Sequence, residues 1–170
     1  MKLLKVKISD AEIANQAGEY KNFTGEIDWR GVKGQVQNAT FELKKSRVYS
    51  RIEWHNGTWK NGTWKEGLWH NGTWKNGIWK YGTWLNGIWE NGTWETGTWF
   101  NGTWKDGYWH HGIWEEGIWK DGTWKEGFWK DGTWKNGTWK EGLWYHGTWK
   151  NGTWEKGKIK GKPSSIPPGK

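Results

Sequence analysis

The chain has 170 residues and a formal net charge of +8, and it contains 22 Trp, 27 Gly, 3 Pro and no Cys. The absence of Cys excludes a disulfide scaffold, and no apolar run approaches the roughly 20 residues that a membrane-spanning helix needs. Disordered chains are poor in aromatic residues. The composition therefore predicts one small domain whose core is built largely from indole rings.

The first residues lack the continuous apolar segment of a secretory signal. Instead Leu4, Val6 and Ile8 alternate with Lys5 and Lys7. This period of two predicts a half-buried β-strand. We therefore expect no secretion signal at this end of the chain.

Residues 1–53 contain three segments in which a small, a polar and a large residue follow one another. The clearest is Ala39-Thr40-Phe41, and Gly25-Glu26-Ile27 and Gly18-Glu19-Tyr20 echo it at irregular spacing. An open repeat array exposes strand edges and needs capping structure at its ends. We therefore predict that residues 1–53 form a β-rich capping and anchoring segment.

Residues 54–159 form a tandem array. A Trp occupies every fifth position from Trp54 to Trp154, the usual unit is Gly-Thr-Trp-Lys-Asn, and Ile159 takes the next Trp place. A period of five fits neither a helix nor a straight strand. Because Asn-Gly and Asp-Gly are strong turn signals, the array is predicted to consist of short extended pieces joined by turns.

The composition changes to Lys, Gly, Pro and Ser at the end of the array, and residues 160–170 are predicted to form an extended basic tail. Together with the last repeat position, this segment supplies the residues that we expect to anchor the chain to neighbours: Lys158, Lys160, Lys162, Pro163, Pro167 and Pro168.

The unit Gly57-Thr58-Trp59-Lys60-Asn61 resembles that of pentapeptide-repeat proteins. In that family four units make one square coil, with the large residue and the small residue two places earlier pointing inward. The resemblance implies an all-β solenoid with a quadrilateral coil, about five coils and a rod of about 25 Å at about 4.8 Å per coil. Its core would include Trp59, Trp79, Trp99, Trp119 and Trp139.

The string Gly-x-Trp-x-x-Gly also resembles, more distantly, part of the MORN repeat. This second resemblance implies a single-layer antiparallel meander of three-residue strands, with every Trp on one side of the sheet. The meander predicts a ten-residue recurrence of similar residues, whereas a four-unit coil predicts a recurrence of 20. The sequence shows a bias at both spacings, and we prefer the solenoid.

The 20-residue recurrence lies at the position before Trp, which is usually Thr. Four residues there are apolar at that spacing and would stack on one face of a four-unit coil: Leu68, Ile88, Tyr108 and Phe128. We therefore predict that they form an outward contact with a partner.

No arrangement of residues suggests catalysis, and we expect no catalytic, cofactor or metal site. The adjacent His110 and His111 lie at variable repeat positions and are interpreted as solvated turn residues. The prediction is therefore a non-enzymatic structural or assembly protein that acts as a rigid β scaffold and binds neighbouring proteins, or further copies of itself, without a membrane.

Two alternatives stay open. A carbohydrate-binding or adhesion module would display a ladder of flat Trp faces, which requires the meander. A nucleic-acid-binding protein would combine Lys with stacking aromatics. Residues 55–157 carry only 12 Lys against 11 Asp and Glu, so this near-neutral array lacks the basic stripe expected of a nucleic-acid binder.

Long runs of Asn-Gly-Thr-Trp also resemble repeat proteins encoded by T4-like tailed bacteriophages. The resemblance covers residues 54–159 and implies a virion component, present in the particle or in the host cytoplasm during assembly. The capping segment and the basic tail would then bind neighbouring proteins.

Overall fold

A computed structural model describes residues 7–9, 18–45 and 50–169. Regular secondary structure in these residues is entirely β, and none of it is a helix that could cross a membrane. Four strands precede the short repeats: β1 Lys7–Ser9, β2 Gly18–Trp29, β3 Val32–Lys45 and β4 Ser50–Trp64. The other strands contain two or three residues: β5 Gly67–Trp69, β6 Thr73–Trp74, β7 Ile78–Trp79, β8 Thr83–Trp84, β9 Ile88–Trp89, β10 Thr93–Trp94, β11 Thr98–Trp99, β12 Thr103–Trp104, β13 Tyr108–Trp109, β14 Ile113–Trp114, β15 Ile118–Trp119, β16 Thr123–Trp124, β17 Phe128–Trp129, β18 Thr133–Trp134, β19 Thr138–Trp139, β20 Leu143–Trp144, β21 Thr148–Trp149, β22 Thr153–Trp154 and β23 Lys158–Ile159.

The short strands wind into a parallel β-solenoid. Trp99 pairs with Trp84 on one side and with Trp114 on the other, so neighbouring strands are 15 residues apart along the chain. Each coil therefore holds three five-residue units, and residues from Trp54 onward make about seven coils. Six steps of about 4.8 Å give a rod of about 29 Å.

The solenoid prediction is confirmed, but its finer detail of four units per coil is wrong, and the alternative to the solenoid is not formed. The quadrilateral coil is replaced by a three-sided one, which makes the rod longer and thinner than five four-unit coils would be. The single-layer antiparallel meander is not formed, because the repeat strands pair in parallel with the coils before and after them.

Side-chain volume explains the three-sided coil. Within one coil, Trp99 and Trp104 meet edge to face, with ring centroids 6.0 Å apart and planes at 72°. Between coils, Trp99 and Trp114 stack at 4.9 Å and 6°. The other inward position of each unit, two residues before Trp, is Gly. Three indoles alone therefore fill each layer. A square layer would be wider and would leave a void at its centre, which a close-packed interior does not tolerate.

The backbone ladder makes Gly obligatory at the inward corner position. Lys105 N donates to Trp89 O at 2.8 Å, and Thr103 N donates to Gly87 O at 2.9 Å. Gly102 has φ of +122°, and a Cβ atom there would lie 2.4 Å from the same Gly87 oxygen. An L side chain would therefore be strained and would separate two coils.

The N-terminal strands cover the first coil. β2 and β3 form an antiparallel hairpin whose turn, Arg30-Gly31, has positive φ at both residues. β3 then runs antiparallel to β4, with register shifts where β4 turns the corners of the first coil. Phe41 is fully buried and stacks on Trp54 at 5.9 Å and 5°. Phe41, the large residue of the segment Ala39-Thr40-Phe41, thus takes the place of a Trp.

Two further segments flank this structure. β1 pairs in parallel with β2, with Ile8 opposite Ile27; Leu4 and Val6 of the strand predicted there lie outside the described residues. At the other end the tail folds back on the last coil, where Ser164 N donates to Gly147 O at 2.8 Å and Ser165 Oγ donates to Trp149 O at 2.6 Å. Among the predicted anchoring residues, Pro167 is buried and Pro163 is half-buried. The other four are exposed: Lys158, Lys160, Lys162 and Pro168.

Candidate functional site

The three sides of the rod are its candidate binding surfaces. On each side the residues before and after an inward Trp point outward, and residues 15 apart stack along the rod. Face A carries the residues that flank the Trp column beginning at Trp54, face B those that flank the column beginning at Trp59, and face C those that flank the column beginning at Trp64.

The four predicted contact residues do not share a face. Leu68 and Phe128 lie on face A, Ile88 lies on face B and Tyr108 lies on face C. Their alignment was wrong because they recur every 20 residues, whereas the coil repeats every 15. Ile88 and Phe128 are nevertheless 39% and 38% exposed, so these side chains are accessible on separate faces.

Face A carries most of the outward apolar side chains of the rod. Ile113, Phe128 and Leu143 are neighbours in successive coils. Beside them a shallow groove of about 280 Å³ is lined in part by Tyr81 and His111 from the adjoining corner. The complete apolar set of this face is Leu68, Leu85, Phe100, Ile113, Phe128, Leu143 and Tyr145.

Face B carries a column of lysines. The residue after Trp is Lys in six of its seven coils, at Lys60, Lys75, Lys105, Lys120, Lys135 and Lys150. Glu90 occupies the same position in the third coil and forms an ion pair with Lys105, in which Lys105 Nζ lies 3.1 Å from Glu90 Oε1. The position before Trp forms a parallel column of mostly Thr: Thr58, Thr73, Ile88, Thr103, Ile118, Thr133 and Thr148.

The lysine column could not be predicted from the net charge of the array. The array is nearly neutral in total, but the three-unit coil sorts its charges by face. Face C mixes both signs in the equivalent column, with Lys65, Lys80, Glu95, His110, Lys125, Lys140 and Glu155. Seven of the eleven acidic residues of the array lie at the corners, three lie on faces A and C, and Glu90 lies on face B. The conclusion that the array lacks a basic stripe is therefore wrong.

A charged cluster joins β3 to the first coil. The Glu53 side chain is 6% exposed; its carboxylate pairs with Lys44 Nζ at 2.6 Å and with Arg51. Burial alone would raise the pKa of Glu53. The hydrogen bonds and charges of Lys44 and Arg51 have the larger opposite effect, so the pKa of Glu53 lies below its usual value. The hydrogen bond to Glu53, followed by the charges of Glu53 and Glu42, raises the pKa of Lys44.

Sequence reasoning did not anticipate a possible metal-ligand set beside this cluster. One ligand atom each of Glu42, Glu53 and His55 lie within 4.8 Å of one another. A metal ion there would have to displace two cations from Glu53, so the donor set fits an internal ion-pair network better. His55 also stacks on His70 at 4.9 Å, and burial, followed by the charge of His55, lowers the pKa of His70.

The Trp rings are not a ligand platform. Trp residues from Trp54 to Trp144 are fully buried, and Trp149 is 3% exposed. Some ring N–H groups point along the rod, as when Trp114 Nε1 donates to Asp131 O at 3.1 Å. A sugar ring has no access to these faces, and the carbohydrate alternative loses the exposed Trp ladder that it requires.

Comparisons with protein-family models, with curated proteins and with solved structures found no match to this chain. The five-residue repeat and the β-solenoid are consistent with a protein like the pentapeptide-repeat proteins. This chain has Trp at the large inward position and three units in each coil.

Proposed function

We propose that this protein is a non-enzymatic scaffold: a stiff β rod that binds neighbouring proteins of an assembly through face A. The observation that carries the proposal is the combination of a continuous indole core with three flat, chemically different faces. Each interior Trp contacts four others, as Trp104 does with Trp89, Trp99, Trp109 and Trp119. Such a core leaves little room for internal motion.

Exposed apolar residues gathered on one side favour a protein partner. Phe100 and Phe128 on face A are 44% and 38% exposed, and contiguous apolar patches on a small protein commonly mark interaction sites. The protein neighbour would cover the row Ile113, Phe128 and Leu143, which lies along the rod axis. This row replaces the 20-residue stripe as the proposed contact.

The kind of assembly to which the protein belongs is proposed from the repeat sequence alone. We propose a virion component, present in the particle or in the host cytoplasm during assembly, because the Asn-Gly-Thr-Trp runs resemble those of tailed bacteriophages. The exposed tail residues Lys158, Lys160 and Lys162 would add a basic contact with a neighbour. Presence of the protein in purified particles supports the virion assignment, and its absence from purified particles contradicts it.

Photo-crosslinking from matched positions tests the scaffold. A photoreactive amino acid at Phe128 on face A is compared with one at Ile88 on face B, where exposure is almost equal. We expect crosslinks to protein from position 128 and not from position 88. Sedimentation of the pure protein over a concentration series then shows whether the neighbour is a second copy.

Substitution toward the repeat consensus gives the second arm. Phe100→Lys, Phe128→Thr and Leu143→Thr together should abolish the crosslinks or the self-association. The control combines Ile78→Thr, Ile88→Thr and Ile118→Thr, which remove three apolar side chains of 37–39% exposure from faces B and C. Equal effects of the two triple variants would contradict the assignment of face A.

A further inference from the structure

We propose that face B binds a linear anionic polysaccharide, with its lysine column on the anionic groups and its threonine column on the sugar hydroxyls. This inference concerns a different face from the scaffold contact and stands independently of the proposed function.

The lysine column is regular. Successive lysines occupy equivalent positions of neighbouring coils, so they repeat at the strand spacing of about 4.8 Å. Lys105, Lys120, Lys135 and Lys150 follow one another without interruption through the last four complete coils. Lys120, Lys135 and Lys150 are exposed, and no ion pair joins them to another described residue.

The nearest acidic side chains on the following corner are engaged by the turns. Asp106 Oδ1 accepts from Gly107 N at 2.7 Å, and Asp121 Oδ1 accepts from Gly122 N at 2.7 Å. The other oxygen of Asp121 accepts from Asn136 Nδ2 at 3.0 Å. These carboxylates are therefore held at the corner by the backbone, and the ammonium groups of the column remain available to an external anion.

The threonine column distinguishes this face from a simple basic patch. Thr103, Thr133 and Thr148 precede the same inward Trp residues that the lysines follow, so each of these coils presents one hydroxyl and one ammonium group. In the third coil Ile88 and Glu90 replace both groups together. Two parallel rows, one of cations and one of hydroxyls that Ile118 interrupts in the fifth coil, match a linear polymer that carries hydroxyl and anionic groups along its length.

Nucleic acids match the face less well. Single strands gain much of their affinity from bases stacked on exposed aromatic rings, and the described part of face B has no outward aromatic residue. The phosphates of each duplex strand follow a helical path with one phosphate per about 3.4 Å, which differs from the spacing of about 4.8 Å along the lysine column. A flat anionic lipid surface would satisfy the lysines but not the hydroxyl row.

Binding is measured by calorimetry at low salt with the full chain and two probes, heparin for sulfated chains and polygalacturonate for purely carboxylated chains. Duplex DNA, anionic phosphatidylserine vesicles and neutral dextran serve as comparison ligands. The test variant combines Lys120→Gln, Lys135→Gln and Lys150→Gln on face B. Its matched control combines Lys80→Gln, Lys125→Gln and Lys140→Gln, which remove the same charge from the same repeat position on face C.

We expect the wild type to bind at least one anionic polysaccharide and not dextran, with about a tenfold loss for the face B variant and less than a twofold loss for the control. Glu90→Lys should tighten binding by completing the column. Equal losses in both triple variants, no binding to either polysaccharide, or tighter face B-dependent binding of DNA or vesicles would each overturn the proposal. Binding of heparin alone would restrict the ligand to sulfated chains within it.

Discussion

The cap of residues 18–45 and the array from residue 67 onward make β structure in opposite ways. The cap has two long antiparallel strands, register shifts and a mixed core that includes Ile27, Val36 and Leu43. The array has parallel strands of two or three residues and a core of indole alone. The cap can adjust its register by bulges, whereas every coil of the array must repeat the coil below it.

This difference predicts where the molecule tolerates change. In the cap a substitution disturbs one irregular site, which neighbouring side chains can partly refill. In the array a change at an inward position is imposed on the coils above and below through stacked rings and backbone contacts. Four experiments test this contrast, in order of decreasing expected effect.

The largest effect is expected from removing a stacked indole. Trp104 contacts four other Trp rings, whereas Trp29, the one Trp of the cap, contacts no other aromatic ring among the described residues. Both are buried. We expect Trp104→Ala to lower the free energy of unfolding by about 5 kcal/mol and Trp29→Ala by about 3 kcal/mol.

Urea unfolding followed by circular dichroism measures this difference. If Trp104→Ala does not fold, Trp104→Phe and Trp29→Phe give the same comparison with smaller cavities. A larger loss at Trp29 would show that the indole stacks do not stabilise the array beyond ordinary burial.

The second contrast concerns Gly at positive φ. A Cβ at Gly102 would lie 2.4 Å from the Gly87 oxygen, which is backbone of the preceding coil, whereas at Gly31 in the cap turn the nearest atom is Lys65 Cδ at 2.5 Å. A flexible lysine can move away and a backbone ladder cannot. We expect Gly102→Ala to cost about 3 kcal/mol and Gly31→Ala about 1 kcal/mol of unfolding free energy. Thermal unfolding of both variants checks this, and equal losses would contradict the role of coil contact.

The five-residue repeat and its turns could be predicted from the sequence, because a strict spacing of Gly and Trp constrains the backbone. The solenoid and the inward Trp followed from the resemblance to pentapeptide-repeat proteins. The number of units per coil could not be taken from Leu68, Ile88, Tyr108 and Phe128. These side chains point outward, where no packing requirement fixes their period.

A better signal lies at the second position after Trp. Every unit on the corner after face B has Asn or Asp there, from Asn61 and Asn76 through Asn151, whereas the corner after face C has none, with Glu66 and Tyr81 among its residues. Asn or Asp thus recurs at this corner every 15 residues, where the side chain binds the backbone of the turn: Asn61 Oδ1 accepts from Gly62 N at 2.8 Å. The lysine column becomes visible only after this period is known. The cap could be predicted only as irregular β structure, since its bulges depend on its partner strand.

The third prediction concerns the junction between the two regions. Glu53→Gln removes the charge that holds Lys44 and Arg51, and we expect a loss of about 1–2 kcal/mol of unfolding free energy at neutral pH. Because the pKa of Glu53 in the folded protein lies below the usual 4.5, its contribution is present above pH 4.5 and is lost as the pH falls through the folded value. Chemical unfolding of the wild type and variant at several pH values should therefore converge in acid. Glu42→Gln, whose side chain is 38% exposed, is the control and should change stability by less than about 0.5 kcal/mol.

The smallest effect is expected at His70, in the second coil, where burial and the neighbouring His55 lower the pKa below 6.5. A base with a lowered pKa binds fewer protons in the folded state than in the unfolded state. Stability is therefore complete above pH 6.5 and declines as the pH falls through the folded pKa of His70. Leu85 occupies the equivalent position one coil later, so His70→Leu keeps the packing that the array accepts. Melting temperatures from pH 7.5 to pH 5 should fall for the wild type and stay nearly level for His70→Leu, since Glu53 titrates only below this range. An unchanged slope in the variant would place the acid sensitivity at another group of the protein, and a level profile in both proteins would mean that charging His70 does not disturb the coil.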